Sequence, residues 1–308
     1  MTKDECFDAR LEDICSKLLA IAPEKEIQKR IEKKLNRCGI MYRIFSRIKE
    51  KKSLQMKLES KWEKYKMNNT KLQDIMGIRI VLYFKDDIDI CIKILKQLFV
   101  VDNCEHDKPD TETFRPQRIN YVFRIPEDIW QLSEETSKEC QIDNTFEVQV
   151  RTIFSEGWHE VEHDVRYKYR EDWNNAEILS RELNGILAVL EICDNNILSI
   201  CDNMAYQKYK QKEWEAMLRN KFRLRLQHVQ LNDKIKKFLN ENPEVGKEVY
   251  RCERNEIIDF LCNSRVPLTC DNIIYILNEL VIHDQRLHEM TPELIRQKCE
   301  EIESRAKD

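Results

Sequence analysis

FEVQVRTIFSEGWHEVEH, residues 146–163, changes its period at the middle. Up to Thr152 it alternates, with Phe146, Val148 and Val150 apolar and Glu147, Gln149 and Arg151 polar between them. A period of two is a strand with one apolar and one polar face. From Ile153 the spacing of Phe154, Trp158, Val161 and Val165 becomes helical. The stretch therefore predicts a strand that runs straight into a helix. Setting a glutamate, a glutamine and an arginine in a row on a sheet face costs free energy unless each finds a partner or a ligand, so this face is a candidate site. The same segment contains His159-Glu160-Val161-Glu162-His163, a literal H-E-x-x-H. On a helix the two histidines would share a face, but a zinc peptidase also needs a third ligand and a substrate groove.

Working outward, GIRIVLYF (77–84) has the composition of a buried strand, and DDIDICIKILKQLF (86–99) that of a helix opened by acidic residues. QRINYVFRI (117–125) alternates Arg118, Asn120, Val122 and Arg124 with Ile119, Tyr121, Phe123 and Ile125, a second half-polar strand. Upstream, Leu11, Ile14, Leu18 and Leu19, then Ile27, Ile31 and Leu35, lie at helical spacing, which predicts helices over 5–22 and 24–37. A further helix is expected from about Ser53 to Lys66. From about 173 onward the pattern is almost wholly helical, with a break near NENPEVG (240–246) and no internal repeat. The fold class is α+β with a helical C-terminal extension.

At 308 residues, with 35% charged residues, 5 Gly and 7 Pro, the composition is that of a helix-rich globular chain. No uninterrupted apolar run reaches the roughly 18–20 residues of a bilayer span, and the N-terminal segment is too charged for a secretory signal, so a cytoplasmic protein without membrane contact is expected. The 12 cysteines include no C-x-x-C pair, which predicts reduced, mostly buried thiols. The net charge of −4 conceals segregation: residues 24–66 hold fifteen Lys or Arg against six Asp or Glu, whereas 127–147 hold one against seven. A basic section of this kind suits a polyanionic ligand.

RIKEKKSLQMK (47–57) supplies Arg47, Lys49, Lys51, Lys52, Ser53 and Lys57, with Ser53 and Lys57 one helical turn apart. Asp74, just ahead of the strand at Gly77, offers a second carboxylate to join Glu147, and two carboxylates among cations suit Mg²⁺ and phosphate. Neither G-x-x-x-x-G-K-[ST] nor G-x-G-x-x-G is present, so side chains would have to do what backbone amides do in those cradles. Phosphate binding and a structural ion-pair network both remain open on these residues alone.

DIMGIRIVLYF (74–84), FEVQVRT (146–152), WHEVEHDVRYK (158–168) and the upstream RIKEKKSLQMK occur in the order and spacing of RelA/SpoT-type synthetases, which make (p)ppGpp. The chain resembles that family over roughly residues 40–170. The resemblance implies a nucleotidyltransferase-like mixed sheet flanked by helices, and Mg²⁺-dependent transfer of pyrophosphate from ATP to a ribose 3′-hydroxyl. It further implies that Arg47 and Arg79 stack on adenine and that Lys49, Ser53 and Lys57 contact the ATP phosphates. By the same resemblance Asp74 ligates Mg²⁺, Glu147 shares the metal or takes the hydroxyl proton, and Arg118, Asn120, Gln149 and Arg151 serve the substrate side. The acceptor strand departs from the family's G-Y-x-S-x-H: here the stretch is Arg115-Pro116-Gln117-Arg118-Ile119-Asn120, so proline stands where the family stacks a tyrosine.

The expected organisation is N-terminal helices over 1–40, a synthetase core over 41–172 and a helical extension over 173–308. Residues 1–40 contain no H-D-x-x-x-E-D hydrolase motif, which points to a synthesis-only member. The acceptor is expected to be a nucleotide. The alternatives are the 3′ end of tRNA, as in toxin or phage-defence relatives, and a silent nucleotide- or RNA-binding module. Residues 205–237 carry ten Lys or Arg against three Asp or Glu, interleaved with Tyr206, Tyr209, Trp214 and Phe222; packing through the aromatic stripe is favoured over RNA binding. A homo-oligomer is a further possibility for the extension.

Overall fold

The computed structural model describes residues 22–50, 52–53, 75–107, 112, 114, 117–130 and 143–307. In chain order its elements are α1 (Pro23–Arg37), β1 (Tyr42–Ile48), β2 (Met76–Leu82), α2 (Asp87–Leu98), β3 (Val101–His106), β4 (Ile119–Arg124), β5 (Thr145–Thr152) and α3 (Ile153–Glu162). A π-helical turn (His163–Tyr167) and a 3₁₀ turn (Arg170–Trp173) lead to the long helix α4 (Glu177–Lys210). Seven shorter helices follow: α5 (Trp214–Phe222), α6 (Asp233–Glu241), α7 (Pro243–Arg251), α8 (Arg254–Asn263), α9 (Cys270–Leu277), α10 (Gln285–Met290) and α11 (Glu293–Lys307). The chain divides into two compact units, with boundaries after Glu32, Met41 and Glu191.

The first unit is built on a five-stranded sheet in the order β1-β2-β5-β4-β3. β2 and β5 run parallel and the other neighbours antiparallel, so the sheet is mixed, as expected. One face is the core. Ile78, Ile80, Phe123, Phe146, Val148 and Val150 are buried there beneath Cys91, Ile94 and Leu95 of α2. Phe99 meets the ring of Phe146 edge-on at 5.1 Å and Phe123 stacks on Phe146 at 5.8 Å, aromatic contacts that add to the area buried. α1 lies against β1, where Ser46 Oγ donates to Gln28 Oε1 at 2.6 Å.

β1 and β3 are strands that the sequence did not announce. β1 does alternate, Tyr42, Ile44, Ser46 and Ile48 being more buried than Arg43, Phe45 and Arg47, but Phe45 stands on the exposed face and Ser46 on the inner one, which blurs the pattern. β3 is an edge strand exposed at every residue and reads VDNCEH, which gives no apolar signal at all. The helices expected over 5–22 and 53–66 fall outside the described residues, apart from Ala22 and Ser53. The stripe expected on α3 is only partly realised, because Trp158 is buried whereas Val161 and Val165 are half exposed. After Glu162 the helix widens into the π turn, which shifts the register of every later side chain.

The second unit is all helix. Trp214 and Phe222 of the basic stretch are buried in its core, with Trp214 Nε1 donating to Asn240 Oδ1 at 2.8 Å, so these two aromatics pack. The break near 240–246 is the joint between α6 and α7 at Asn242. Among the described residues all nine cysteines are free thiols, six of them buried, and Cys38 Sγ lies 3.0 Å from Cys262 Sγ. Among the described residues, the long helix α4 bears on the expectation that no apolar run approaches the length of a bilayer span. Its 34 residues contain an 18-residue window of mean hydropathy 1.3 with few charges, long and apolar enough by length and composition, and only 11% of that window is buried. Scattered asparagines and serines hide this window from a search for an uninterrupted apolar run.

Candidate active site

The sheet register brings the polar positions of four strands onto one face. Arg47 of β1 pairs with Gly77 of β2, which pairs with Glu147 of β5, which pairs with Val122 of β4. The next row is Phe45, Arg79, Gln149 and Asn120, and the one beyond it is Arg43, Val81 and Arg151. Side chains two apart on a strand share a face, so Arg47, Arg79, Glu147, Gln149, Arg151 and Asn120 all project from this side. Thr152 ends β5 and also caps α3, its hydroxyl accepting from Ser155 N at 3.1 Å. That joint folds α3 back over β5 and β2.

The polar face is held by a chain of bonds. Gln149 Nε2 donates to Glu147 Oε1 at 3.1 Å, and Gln149 Oε1 accepts from Arg79 Nε and Arg151 Nη2, each at 3.3 Å. From α3, Glu156 bridges the two arginines, with Oε1 2.7 Å from Arg79 Nη1 and Oε2 2.8 Å from Arg151 Nη1. Glu160 adds a second carboxylate to Arg79. Burial works against the charge on Arg79, but Glu156 and Glu160 outweigh it and raise its pKa. Arg151 is more deeply buried and, with Arg79 nearby, its pKa is lowered.

Beside this network opens a cavity of about 670 Å³, lined among others by Arg43, Phe45, Arg47, Lys49, Gly77, Arg79, Glu147, Gln149, Glu156 and Glu160. Of the residues singled out from sequence, Arg47, Lys49, Arg79, Glu147 and Gln149 thus meet in one place, and Arg151 is bonded to them. Asn120 lies one strand further on, level with Gln149. Arg118, just ahead of β4, turns towards β3, its Nε 3.1 Å from Asp107 Oδ2 and its Nη1 3.4 Å from Glu105 Oε2. Ser53 is exposed and not among the residues lining the cavity. Asp74, Lys57 and Pro116 lie outside the described residues.

The two histidines of the H-E-x-x-H string have separate local partners. His159 bonds to the backbone of Gln117; burial first, then Arg151 and Arg79, push its pKa down to about 4, and its Nε2 is buried without a partner among the described residues. His163 Nδ1 lies 2.9 Å from Asp164 Oδ1 and its ring stacks on Tyr167. Among the described residues no three His, Cys, Asp or Glu side chains converge as metal ligands. Glu162 and His163 bond to residues of the π turn. Glu162 holds Arg166 at 3.2 Å, and Arg166 reaches Asn184 of α4 at 3.1 Å.

Residues 46–172 match the family described as the region found in RelA / SpoT proteins. Over 102 residues the chain is 29% identical to GTP pyrophosphokinase YjbM of Bacillus subtilis (strain 168), a match covering 32% of this chain and 44% of that enzyme. Among solved structures, small alarmone synthetase 1 of Bacillus subtilis aligns at 21% identity and a TM-score of 0.45, covering 65% of this chain and 96% of that one. The same synthetase bound to its product pppGpp aligns at 20% identity and a TM-score of 0.46, covering 61% and 96%.

Arg43, Phe45, Glu156 and Glu160 line the cavity and were passed over in the sequence reading. Alternation through Tyr42-Ile44-Ser46-Ile48 would have placed Arg43 and Phe45 beside Arg47. Glu156 and Glu160, four apart on α3, share a face, but the H-E-x-x-H string drew Glu160 into a different pattern.

Proposed function

We propose that the cavity binds ATP with Mg²⁺, and that the RelA/SpoT region transfers pyrophosphate from ATP to the 3′-hydroxyl of a nucleotide acceptor. The observation that carries this is the row Arg47–Gly77–Glu147: a cation and a carboxylate face each other across a bare glycine, beside a bonded Arg79–Gln149–Arg151 network. Arg47 and Arg79 offer guanidinium planes for adenine, and Lys49, with Ser53 and Lys57, offers cations and a hydroxyl for the phosphates. In the transfer the acceptor 3′-oxygen attacks the β-phosphorus, the bond from that phosphorus to the α,β-bridging oxygen breaks, and AMP leaves. Glu147 accepts the hydroxyl proton. Gln149, donating to Glu147, fixes which oxygen faces the acceptor, and Arg151, held by Glu156, supports Gln149 from behind. Mg²⁺, held by Glu147 together with Asp74, would neutralise charge that builds on the phosphates. Such chemistry is mostly positioning and charge neutralisation, which a network of this kind supplies.

Asn120 stands level with Gln149 and so faces the acceptor side, with Arg118 ahead of it. A tRNA 3′ end is the second acceptor to test, because the segment ahead of Asn120 departs from the family pattern at Pro116. Glu147→Gln should abolish transfer of label from γ-labelled ATP to GDP, GTP or tRNA while leaving the thermal midpoint unchanged. Undiminished turnover in this variant would sink the assignment, and the acceptor labelled by the unmodified protein identifies its substrate.

A further inference from the structure

The charges around the cavity are sorted by element. Arg43, Arg47 and Lys49 come from β1 and the residue following it, whereas Glu156 and Glu160 stand four residues apart on one face of α3. A triphosphate is repelled by two carboxylates, so the α3 wall is the place for the uncharged end of the nucleotide, the base. The two glutamates differ in what they have left to offer. Glu156 is largely buried and has both oxygens engaged, one on Arg79 and one on Arg151. Glu160 is 55% exposed and has Oε1 on Arg79, while its Oε2 has no partner among the described residues.

An ionised carboxylate only accepts hydrogen bonds. It is satisfied by an amino group and repels a carbonyl. Adenine carries an exocyclic amino group at its 6-position, where hypoxanthine and guanine carry an oxygen. We propose that Glu160 determines the specificity of the donor site, accepting from the 6-amino group of the base and so selecting ATP over 6-oxo purine nucleotides. This rests on the cavity being the ATP site. Arg79 serves as the anchor: it orients the Glu160 carboxylate and offers its own plane to the same ring.

The test is calorimetric titration of ATP and of ITP, which replaces the 6-amino group by an oxygen, into the unmodified protein, Glu160→Gln and Glu160→Ala. Both variants should fold, because the side chain is exposed and Arg79 keeps Glu156; matching thermal midpoints would verify it. Freeing Arg79 would alter both affinities alike, so the ratio of Kd values isolates the contact. The unmodified protein should bind ATP about ten- to a hundredfold more tightly than ITP, the span expected for one charge-assisted hydrogen bond exchanged for a repulsion. Both variants should bring that ratio to within about threefold, mainly by weakening ATP. A ratio that stays as wide in both variants overturns the role of Glu160 and leaves the ATP site standing. No binding of ATP to the unmodified protein overturns the site and this inference with it.

Discussion

Gly77 separates Arg47 from Glu147 in the sheet, and a Cβ placed there would meet no atom within 4 Å. Fold and function therefore make opposite demands on this residue. A β-branched side chain would suit the strand better than glycine, yet it would stand in the cavity between the cation and the carboxylate. Gly77→Val should leave the thermal midpoint unchanged or slightly raised while weakening ATP binding more than about tenfold, as read by titration. His159 gives a separate residue-scale expectation. Its pKa is lowered in the folded protein, so the unfolded chain takes up the proton first as the pH falls. Its contribution is intact above the ordinary histidine value of 6.5 and is lost as the pH drops towards about 4. Urea unfolding should show a loss of about 2 kcal/mol between neutral pH and about pH 5 from this group alone, and His159→Leu should remove that part of the slope.

At the scale of elements, β5 and α3 were legible because their sequence changes period at a single residue, and Thr152 acts at that residue both as strand end and as helix cap. β4 and α1 were legible from a periodic apolar face, and β2 and α2 from their composition. β3 was not, because an edge strand with no buried residue needs no apolar pattern. The partners of Arg79 escaped too. An ion pair between side chains 77 residues apart leaves no mark on local periodicity, whereas Glu147, Gln149 and Arg151 announce themselves by alternating within one strand. Two glycines outside the site show packing of the same non-local kind. Gly246 of α7 lies where a Cβ would come within 2.5 Å of the Trp214 ring, and Gly39 combines φ +69° with Leu268 only 2.3 Å from such a Cβ. Gly246→Ala should cost about 1–3 kcal/mol in denaturant unfolding, since the ring is buried and hydrogen-bonded and has little room to give. An unchanged midpoint would show that the α5–α7 contact is looser than this geometry.

For the whole molecule, the dominant unresolved pattern is α4. Leu187 is fully packed, while Ile178 on the same helix is 75% exposed. Leu187→Ala should therefore cost about 2–4 kcal/mol and Ile178→Lys less than about 0.5 kcal/mol, a contrast that thermal unfolding of the two variants checks directly. The sheet carries a consequence of another kind. Its one parallel pair joins β2 to β5, and Arg79 and Gln149, bonded across it, are 70 residues apart in the chain. On a ribosome adding roughly 5–20 residues per second, β2 must wait on the order of 4–14 s for its partner strand to be made. Until then the nascent chain displays Arg47 and Arg79 without Glu147, cations with nothing to direct them. Assembly order thus acts as a delay: the polar face of the cavity is incomplete until the stretch from Glu147 to Glu160 has been translated and folded back.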